Sequence, residues 1–509
     1  MPDLEKYPLS NKVFQEQSAV IAGKLDALNV TMIRAASSSG GLQVKDFKDV
    51  QTLVRLNLAK DVFAVGDQFS VEAISSLSIG IGSSTGITAA TINEDTFIAA
   101  MGTAHFGVYE ATYDGSAWHK EDGTPINLTD YGISVTGTPA ENDHVIITEA
   151  TSKTLFDVMD HNNYTTKDTR DPNTMLLTAH NVVAYGTMPF SAPQLLAAFT
   201  SGLPAGAYKF TLTNAAYGGG SQYNGTYMFT LTQAIPANGG LRHTNIGGWK
   251  SSYAQSDVIG NYLQTYNAVT ATASGTAIET VAVALYDNET ECVDLGTFTA
   301  DSRTYYTEAI SVTIDGTTYT GSRNFTERNA YGSNRYSHSV YHQWLNSAAP
   351  AASGSTISTW WSPKTVFDRV PGGASLAGYL HGMDPDFVNA VGEVAVKIAL
   401  ANCDITDPNV KYETVYAKFF LLSRGDVYGS AENGVLEAPQ ADYYVGTGND
   451  AKIKYQGSTA RYWWLRTPNS GWAYLVRDVA PGGSVYDLGA YGAGGVVPAC
   501  CICGKAVIE

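Results

Sequence analysis

Two amphipathic patterns near the start of the chain predict helices. Ser10 provides an N-cap for a first helix over 10–29, and a second is predicted over 44–59, after the Ser/Gly break at 36–41. The apolar residues that recur at helical spacing are Val13, Phe14, Ile21, Leu25 and Leu28 in the first helix and Phe47, Val50, Leu53, Val54 and Leu58 in the second. We expect this part of the chain to serve attachment or oligomerisation.

From about residue 62 the pattern changes to the alternation that predicts strands, interrupted by Gly, Pro and Asp-Gly turns. "DVFAVGDQFSVEA", "TFIAAMGTAHFGVYEATYDGSAW" and "GISVTGTPAENDHVIITEA" are the first such stretches, and "GIGSSTG" (80–86) reads as a turn between strands. A second β-rich block covers 191–320. Within it "GAYKFTLT" (206–213) and "GTYMFTLT" (225–232) are near copies, which predicts one hairpin with Tyr and Phe on the same strand face.

The last third of the chain mixes both patterns. Helices are predicted over 337–347 and over 384–391, where Asp384 is the N-cap and Pro385 the first helical residue. Strands are predicted at "VAVKIAL" (394–400), "AKFFLLS" (417–423) and "RYWWLRT" (461–467). The predicted class is α+β and β-dominated.

The order of these patterns predicts four segments. Residues 1–60 form the helical segment, and 61–190 begin a core that carries a β-rich insertion at about 75–145. Residues 191–320 form a β-sandwich-like insertion, and 321–509 a C-terminal domain.

Composition excludes several functional classes. The chain has 509 residues and a formal net charge of -17, and it shows no basic cluster, so a nucleic-acid partner is not expected. No run of about 18 apolar residues predicts a membrane span, and the N-terminus lacks the layout of a secretory signal. Five cysteines, an odd and sparse set, favour synthesis in a reducing cytosol.

Three patterns suggest chemistry, and each has a simpler structural interpretation. His338 and His342 have helical spacing for two metal ligands, but neither a third ligand nor a catalytic Glu accompanies them. "CCIC" (500–503) fits a buried closing strand, since alternate thiols would face opposite sides. "GIGSSTG" lacks the Lys-Ser or Lys-Thr ending of a phosphate loop. We therefore predict no catalytic residue, no metal site, no cofactor and no enzymatic activity.

One stretch near the C-terminus differs from the rest in composition. Trp463–Trp464 precede it and Val496–Pro498 follow it, both as apolar framework. Between them Tyr and Trp alternate with Ser, Gly and Asn, the composition of a paratope, in which aromatic rings give contact area and small polar residues adapt. The predicted ligand-binding residues are Asn469, Ser470, Gly471, Trp472, Tyr474, Tyr486, Asp487, Leu488, Gly489, Tyr491, Gly492 and Gly494. Tyr336 and Tyr341 are expected to border the same face.

"YWWLRTP", "VAPGGSV" and "GGVVPACCI", in this order, resemble the C-terminal end of the variable proteins of diversity-generating retroelements in phages and prophages. Those proteins have the C-type lectin fold of the formylglycine-generating-enzyme type. Their pattern is W-W-L-R-S-P, a variable stretch, then G-V-x-P-x; here Thr467 replaces the Ser. "GDQFSVEA", "NTMLLTAHNVV", "NRYSHSVYHQWLNS" and "FFLLSRGDVYG" also look like core segments of this family, so the resemblance spans most of 62–508.

The resemblance implies a mechanism of diversification. In that family an error-prone reverse transcriptase substitutes bases opposite template adenines, so an Asn codon (AAC) can become Tyr, Ser, Gly, Asp, Ala or Leu. Tyr486 to Gly494 fit this set. Trp472 is not reachable from AAC, because its codon ends in G, so that position is either fixed or began from another codon.

The leading hypothesis is a phage virion protein, made in the host bacterial cytoplasm, that displays a diversified lectin-like face for a host cell-surface protein or glycan. The N-terminal segment would contact other virion proteins, and a homo-oligomer is left open. A second hypothesis is a capsid or tail decoration protein without a dedicated receptor. A third is a formylglycine-generating-type enzyme, which would need two thiols in an open cleft.

Overall fold

The structure is a computed structural model, and it describes most of the chain beyond residue 46. The described residues are 47–82, 84–101, 108–167, 172–191, 196–213, 225–237, 239–243, 263–266, 283–299, 307–324, 328–349 and 376–504. The helix predicted over 10–29 lies outside them.

Strands dominate the described residues, which confirms the β-dominated class. The α-helices are α1 (Phe47–Arg55), α2 (Ala59–Val62), α3 (Glu94–Met101), α4 (Arg328–Tyr331), α5 (Val340–Trp344), α6 (Pro385–Ala390) and α7 (Arg424–Tyr428). Short 3-10 helices cover Leu128–Tyr131, Glu289–Glu291, Tyr336–His338, Asn402–Asp404, Asp442–Tyr444 and Asn449–Lys452. The strands are β1 (Gln68–Ile81), β2 (Ile87–Ile92), β3 (Val108–Tyr113), β4 (Trp118–Lys120), β5 (Pro125–Ile126), β6 (Ile133–Gly137), β7 (His144–His161), β8 (Thr174–Ala179), β9 (Ala197–Phe199), β10 (Gly206–Thr213), β11 (Gly225–Leu231), β12 (Gly239–His243), β13 (Leu263–Tyr266), β14 (Val283–Leu285), β15 (Val293–Thr299), β16 (Thr307–Ile314), β17 (Thr317–Asn324), β18 (Val394–Ala399), β19 (Tyr412–Ala417), β20 (Phe419–Leu421), β21 (Lys454–Gln456), β22 (Thr459–Arg461), β23 (Trp463–Pro468), β24 (Leu475–Val479), β25 (Val485–Gly489) and β26 (Pro498–Cys503).

Two compact units divide the chain, and each is assembled from separate stretches. Unit 1 contains the described residues of 1–180, 379–394 and 500–509, and unit 2 contains those of 181–378 and 395–499. The sequence analysis instead gives four consecutive segments, in which a core that begins at 61–190 is interrupted by β-rich insertions. The two divisions differ because unit 1 joins strands from both ends of the chain in one sheet.

The long strand β7 organises the sheet of unit 1. β1 pairs antiparallel along its length, from Gln68 opposite Asp157 to Ile81 opposite Val145. β3 pairs with the first part of β7 and β8 with the last part, and β26 follows β8. Cys500, Cys501 and Cys503 are buried in β26, which confirms the closing-strand interpretation of "CCIC".

Helix α1 packs into the core of unit 1. The ring of Phe47 lies 4.9 Å from that of Phe387, and Gln51 Nε2 donates to the carbonyl oxygens of Ala390 and Cys503, each at 3.2 Å. Asp384 caps α6 and Pro385 begins it, as predicted. The attachment role of residues 1–60 stays a prediction.

The insertion within unit 1 has a hydrophobic core of its own, to which Phe97, Ile133 and Ile147 contribute. The prediction of strand over residues 96–101 was wrong, because α3 covers them. Asn93 Oδ1 accepts from the Thr96 N–H at 3.0 Å, and this capping bond starts the helix.

The turn after β1 confirms the structural interpretation of "GIGSSTG". The backbone N–H groups of Thr85, Gly86 and Ile87 donate to the carboxylate of Asp143 at 2.7, 3.0 and 3.2 Å. The donors that a phosphate would use in such a loop are thus occupied by a side chain of the same chain.

In unit 2 two sheets share one core. One has the order β14-β11-β10-β15 and the other β13-β12-β9-β17-β16. The predicted hairpin is confirmed: Tyr208 pairs with Phe229 and Phe210 with Tyr227, and all four rings are buried.

The predicted helix over 337–347 is shorter in the structure. It runs from Val340 to Trp344, because Ser339 caps it by accepting from the His342 N–H. Among the described helices none has both the length and the apolar character of a membrane span.

Candidate binding face

The two ends of the 469–494 segment are clasped together by main-chain hydrogen bonds. Trp464 N–H donates to Gly495 O at 2.9 Å, and Gly495 N–H donates to Tyr462 O at 2.8 Å. All six residues of β23 are buried, as are Val496 and Val497. The apolar framework predicted from the sequence therefore lies at both ends of the segment.

Arg466, the arginine of the "WWLR" motif, is a buried structural residue. Its Nη1 lies 3.0 Å from Asp426 Oδ2, and both side chains are fully buried. The next residue, Thr467, donates its hydroxyl to Glu437 and accepts from the Arg424 N–H at 2.8 Å. Thr467 stands where the pattern that the sequence resembles has Ser, and its hydroxyl makes both bonds.

Between these anchors the segment forms a hairpin with a loop on either side. β24 and β25 pair antiparallel from Leu475 opposite Gly489 to Val479 opposite Val485. The connecting turn includes Gly483, whose φ is 78° and whose Cβ, if present, would meet Asn449 O at 2.0 Å. The side loops are 469–474 and 490–495.

Four aromatic rings form a contiguous cluster on these loops, which we call the aromatic row: Trp472, Tyr474, Tyr331 and Tyr491. Successive ring centroids lie 6.2, 4.7 and 5.5 Å apart. The outer members, Trp472 and Tyr491, are 37% and 43% exposed. The row is therefore a packed cluster whose two outer rings are partly exposed to solvent.

Arg328 anchors the loop that carries Trp472 and Tyr474. Its guanidinium pairs with both carboxylate oxygens of Asp404 at 2.9 and 2.7 Å, and Nε donates to Ala473 O at 2.8 Å. Arg328 is 1% exposed. Burial alone would raise the pKa of Asp404, but the guanidinium lowers it below its ordinary value, so the pair is charged.

Asn334, which accepts from Arg328, holds the 469–475 loop. Its Nδ2 lies 3.1, 2.6 and 3.0 Å from the carbonyl oxygens of Asn469, Trp472 and Leu475, so its two N–H groups are shared among three acceptors. Asn334 is fully buried. These bonds reach main-chain oxygens, which are present whatever side chain the loop carries.

The 490–495 loop is held in the same way. The N–H groups of residues 186, 190 and 191 donate to the carbonyl oxygens of residues 493, 492 and 490. Tyr491 N–H donates to Tyr331 O at 2.9 Å, and Ala490 N–H donates to Tyr474 O at 2.8 Å. The backbones of the two loops are therefore hydrogen-bonded to each other and to Tyr331, in addition to the contacts between their rings.

A charged network lies beside the row. Glu432, which is 3% exposed, pairs with Arg424 and Arg477, and it accepts from both N–H and Oγ–H of Ser470. Arg477 also contacts both oxygens of Asp487 at 2.8 and 2.9 Å. Burial raises the pKa of Glu432, but the hydrogen bonds from Arg477 and Ser470 outweigh it, and the pKa lies below its usual value.

Asp478 has a different environment on the neighbouring position of β24. Its side chain is fully buried, and neither carboxylate oxygen has a hydrogen-bond partner among the described residues. Burial first, and then the charge of Asp487, raise its pKa to about 8. Asp478 is therefore mostly neutral at pH 7.

The predicted binding residues differ in how exposed they are in the structure. Gly471, Trp472, Tyr486 and Tyr491 are exposed; Asn469, Ser470, Tyr474, Asp487, Leu488, Gly489 and Gly492 are half-buried; Gly494 is buried.

Gly494 has no room for a side chain. A Cβ there would lie 2.8 Å from Trp464 Nε1. Asn469, Ser470 and Asp487 are engaged in side-chain hydrogen bonds, including Asn469 Nδ2 to Asp487 Oδ2 at 3.1 Å.

The expectation that Tyr336 and Tyr341 border the face was wrong. Both rings are buried, at 0% and 1% exposure, and Tyr341 Oη donates to Met188 O at 2.6 Å. The alternation of apolar and polar residues does not distinguish a buried Tyr with a satisfied hydroxyl from an exposed one.

The histidine pair does not share one helix face. His338 lies in a 3-10 turn, whereas His342 lies in α5. Burial, with Arg335 adding to it, lowers the pKa of His338 to about 4. In the described part of the chain no group of three or more His, Cys, Asp or Glu side chains is placed to hold a metal ion.

The sequence analysis missed the residues that support the face. Arg328, Tyr331, Asn334 and Glu432 lie 37 or more positions before the segment, and nothing in their local pattern distinguishes them from a polar loop. A run of polar residues with an Arg and two Asn ("ERNAYGSN") was the available signal, but its burial depends on contacts distant in sequence.

Comparison with known proteins finds a similarity over part of the chain. The sequence model of a domain of unknown function, DUF6273, matches residues 307–504, a range that includes both 328–334 and the 469–494 segment. No curated protein and no solved structure matches the chain.

Proposed function

We propose that this protein is a phage or prophage virion protein of the variable type, with a C-type-lectin-like domain that binds a host cell-surface molecule non-covalently. Its binding face is the 469–494 segment together with Tyr331. The motif order from "YWWLRTP" to "GGVVPACCI" supports the family, and the β-dominated class is compatible with it.

The main support for the proposal is that buried side chains anchor the backbone of the face rather than its side chains. Buried side chains from outside the segment, Arg328 and Asn334, bond to its main-chain carbonyl oxygens. Because every residue type has that oxygen, substitutions at Trp472 or Tyr491 leave these bonds in place. Exposed substitutions of this kind typically change stability by less than about 0.5 kcal/mol.

The aromatic row supplies the binding energy. Trp and Tyr at the centre of an interface commonly contribute about 2 kcal/mol or more when truncated to Ala. Trp472 and Tyr491 are the exposed members of the row, so their loss should weaken binding most.

A cell-binding assay tests the proposal. The full-length chain, fluorescently labelled, is titrated onto intact bacterial cells of a strain panel that begins with the strain carrying the gene. We expect Trp472→Ala/Tyr491→Ala to weaken binding at least about 30-fold. Tyr412→Ala and Tyr416→Ala are matched controls, because these exposed tyrosines lie on β19 and outside the face.

Equal loss in the control variants would show that the effect is not specific to the face. Unchanged binding by Trp472→Ala/Tyr491→Ala, with a folded variant, would contradict the proposal and favour the capsid or tail decoration protein.

A further inference from the structure

The charged side chains of the 469–494 segment are largely neutralised by ion pairs. The segment contains one basic residue, Arg477, and two acidic residues, Asp478 and Asp487. Arg477 pairs with Asp487 and with Glu432, and Glu432 also pairs with Arg424 at 3.0 Å. Two guanidinium groups thus neutralise two carboxylates within one network.

The third charge of the segment is removed by burial. Asp478 is fully buried, with no hydrogen-bond partner among the described residues, and its raised pKa keeps it mostly protonated at pH 7. At neutral pH the segment with its pairing partners therefore carries almost no net charge, although the whole chain carries -17.

Tyr331 gives the face a ring that does not belong to the segment. Its centroid lies between those of Tyr474 and Tyr491, at 4.7 and 5.5 Å, and its carbonyl oxygen accepts from the Tyr491 N–H. It lies three residues after Arg328 in α4, and the Arg328 side chain is fixed by Asp404. Tyr331 is thus placed by the scaffold, whatever residues the segment carries.

We propose that the aromatic row is an electroneutral docking surface with Tyr331 at its centre, and that its partner is a protein surface that is uncharged and apolar where it meets the row. This inference rests on the proposed function. Of the host cell-surface molecules that the proposed function allows, it selects a protein over a glycan.

Charge and ring geometry favour this partner over others. A polyanion needs unpaired cations, and the arginines at the face, Arg477 and Arg424, are already paired with carboxylates. A saccharide ring stacks best on a flat aromatic face, but the rings of the row are inclined to one another by 75°, 33° and 41°. The cores of protein interfaces are depleted in charge and rich in Tyr and Trp.

A display experiment tests the partner's chemistry. A library of constrained random peptides is panned on the immobilised full-length chain and counter-selected on Trp472→Ala/Tyr491→Ala. We expect the enriched peptides to be uncharged at their shared positions and rich in apolar or aromatic residues. Their affinity should change less than about twofold between 50 and 500 mM NaCl, because no ion pair forms.

Two variants test the role of Tyr331. We expect Tyr331→Ala to weaken the selected peptides at least about tenfold, and Tyr331→Phe to recover most of that loss, since the ring supplies the contact. Tyr412→Ala is the matched control, and a thermal melt of each variant verifies that it folds. Unchanged affinity in a folded Tyr331→Ala variant would overturn the role of Tyr331.

The other outcomes separate this inference from the proposed function. Charged peptides with strongly salt-dependent affinity, or glycans on an array that bind the wild type but not the double variant, would overturn the uncharged protein partner. Either result would leave the binding face in place. If neither peptides nor glycans distinguish the wild type from the double variant, the inference and the proposed binding face both fail.

Discussion

Replacing Asp478 by Asn should change how the stability of the protein depends on pH. The substitution keeps the size and shape of the side chain but removes the group that titrates. In the folded chain burial raises the pKa of Asp478 to about 8, while an unfolded Asp titrates near 4. The folded state therefore retains this proton over a range in which the unfolded state has lost it.

The sign and size of the effect follow from proton linkage. The stabilising contribution of Asp478 is fully present below about pH 4 and is lost as pH rises towards 8. Between these limits one such group changes the free energy of unfolding by about 1.4 kcal/mol per pH unit. Because a buried carboxylate can admit water, we expect a loss on the order of 2 kcal/mol between pH 5 and pH 7.

Urea unfolding of the wild type and of Asp478→Asn, followed by tryptophan fluorescence from pH 4.5 to 8.5, measures this loss. The difference in stability between the two proteins should shift in favour of the variant as pH rises. Asp450→Asn is the control, since Asp450 is exposed and should leave the pH dependence of the wild type unchanged. Parallel curves for the wild type and Asp478→Asn would refute the reasoning.

Two further substitutions test the scaffold of the face. Gly494→Ala should lower the free energy of unfolding by about 1–3 kcal/mol, because its Cβ would approach Trp464 Nε1 to 2.8 Å, whereas Gly471→Ala, with its nearest contact at 3.5 Å, should cost less than about 0.5 kcal/mol. Similar melting temperatures for the two glycine variants would contradict the steric argument. Glu432→Gln should cost about 2 kcal/mol in chemical unfolding, because it removes the carboxylate that two arginines share, while Glu393→Gln, in an exposed pair, should cost less than about 1 kcal/mol. Equal costs at the two glutamates would show that burial of the network adds nothing.

Local patterns in the sequence predict much of the secondary structure. The near-copies at 206–213 and 225–232 pair as expected, and Asp384 with Pro385 begins a helix. These features depend on neighbouring residues alone. The strand predicted over 96–101 was wrong: α3 covers these residues, and the Asn93 side chain caps that helix by accepting from the Thr96 N–H.

The candidate face was predictable only in part. Composition and motif order indicate the 469–494 segment and its apolar flanks. Tyr331, Arg328 and Asn334 could not be predicted, because their roles depend on contacts with residues more than 130 positions away. For the same reason the sequence did not distinguish Gly494, which has no room for a side chain, from its exposed neighbours.

Sequencing the 3′ end of this gene across a population of the phage or its lysogens tests the central claim most directly. We predict substitutions concentrated at exposed and half-buried positions such as Tyr474, Tyr486 and Tyr491, at sites explained by adenine changes. Gly494 and the flanking Trp463 should stay constant. A segment as uniform as its flanks would contradict the diversified binding face.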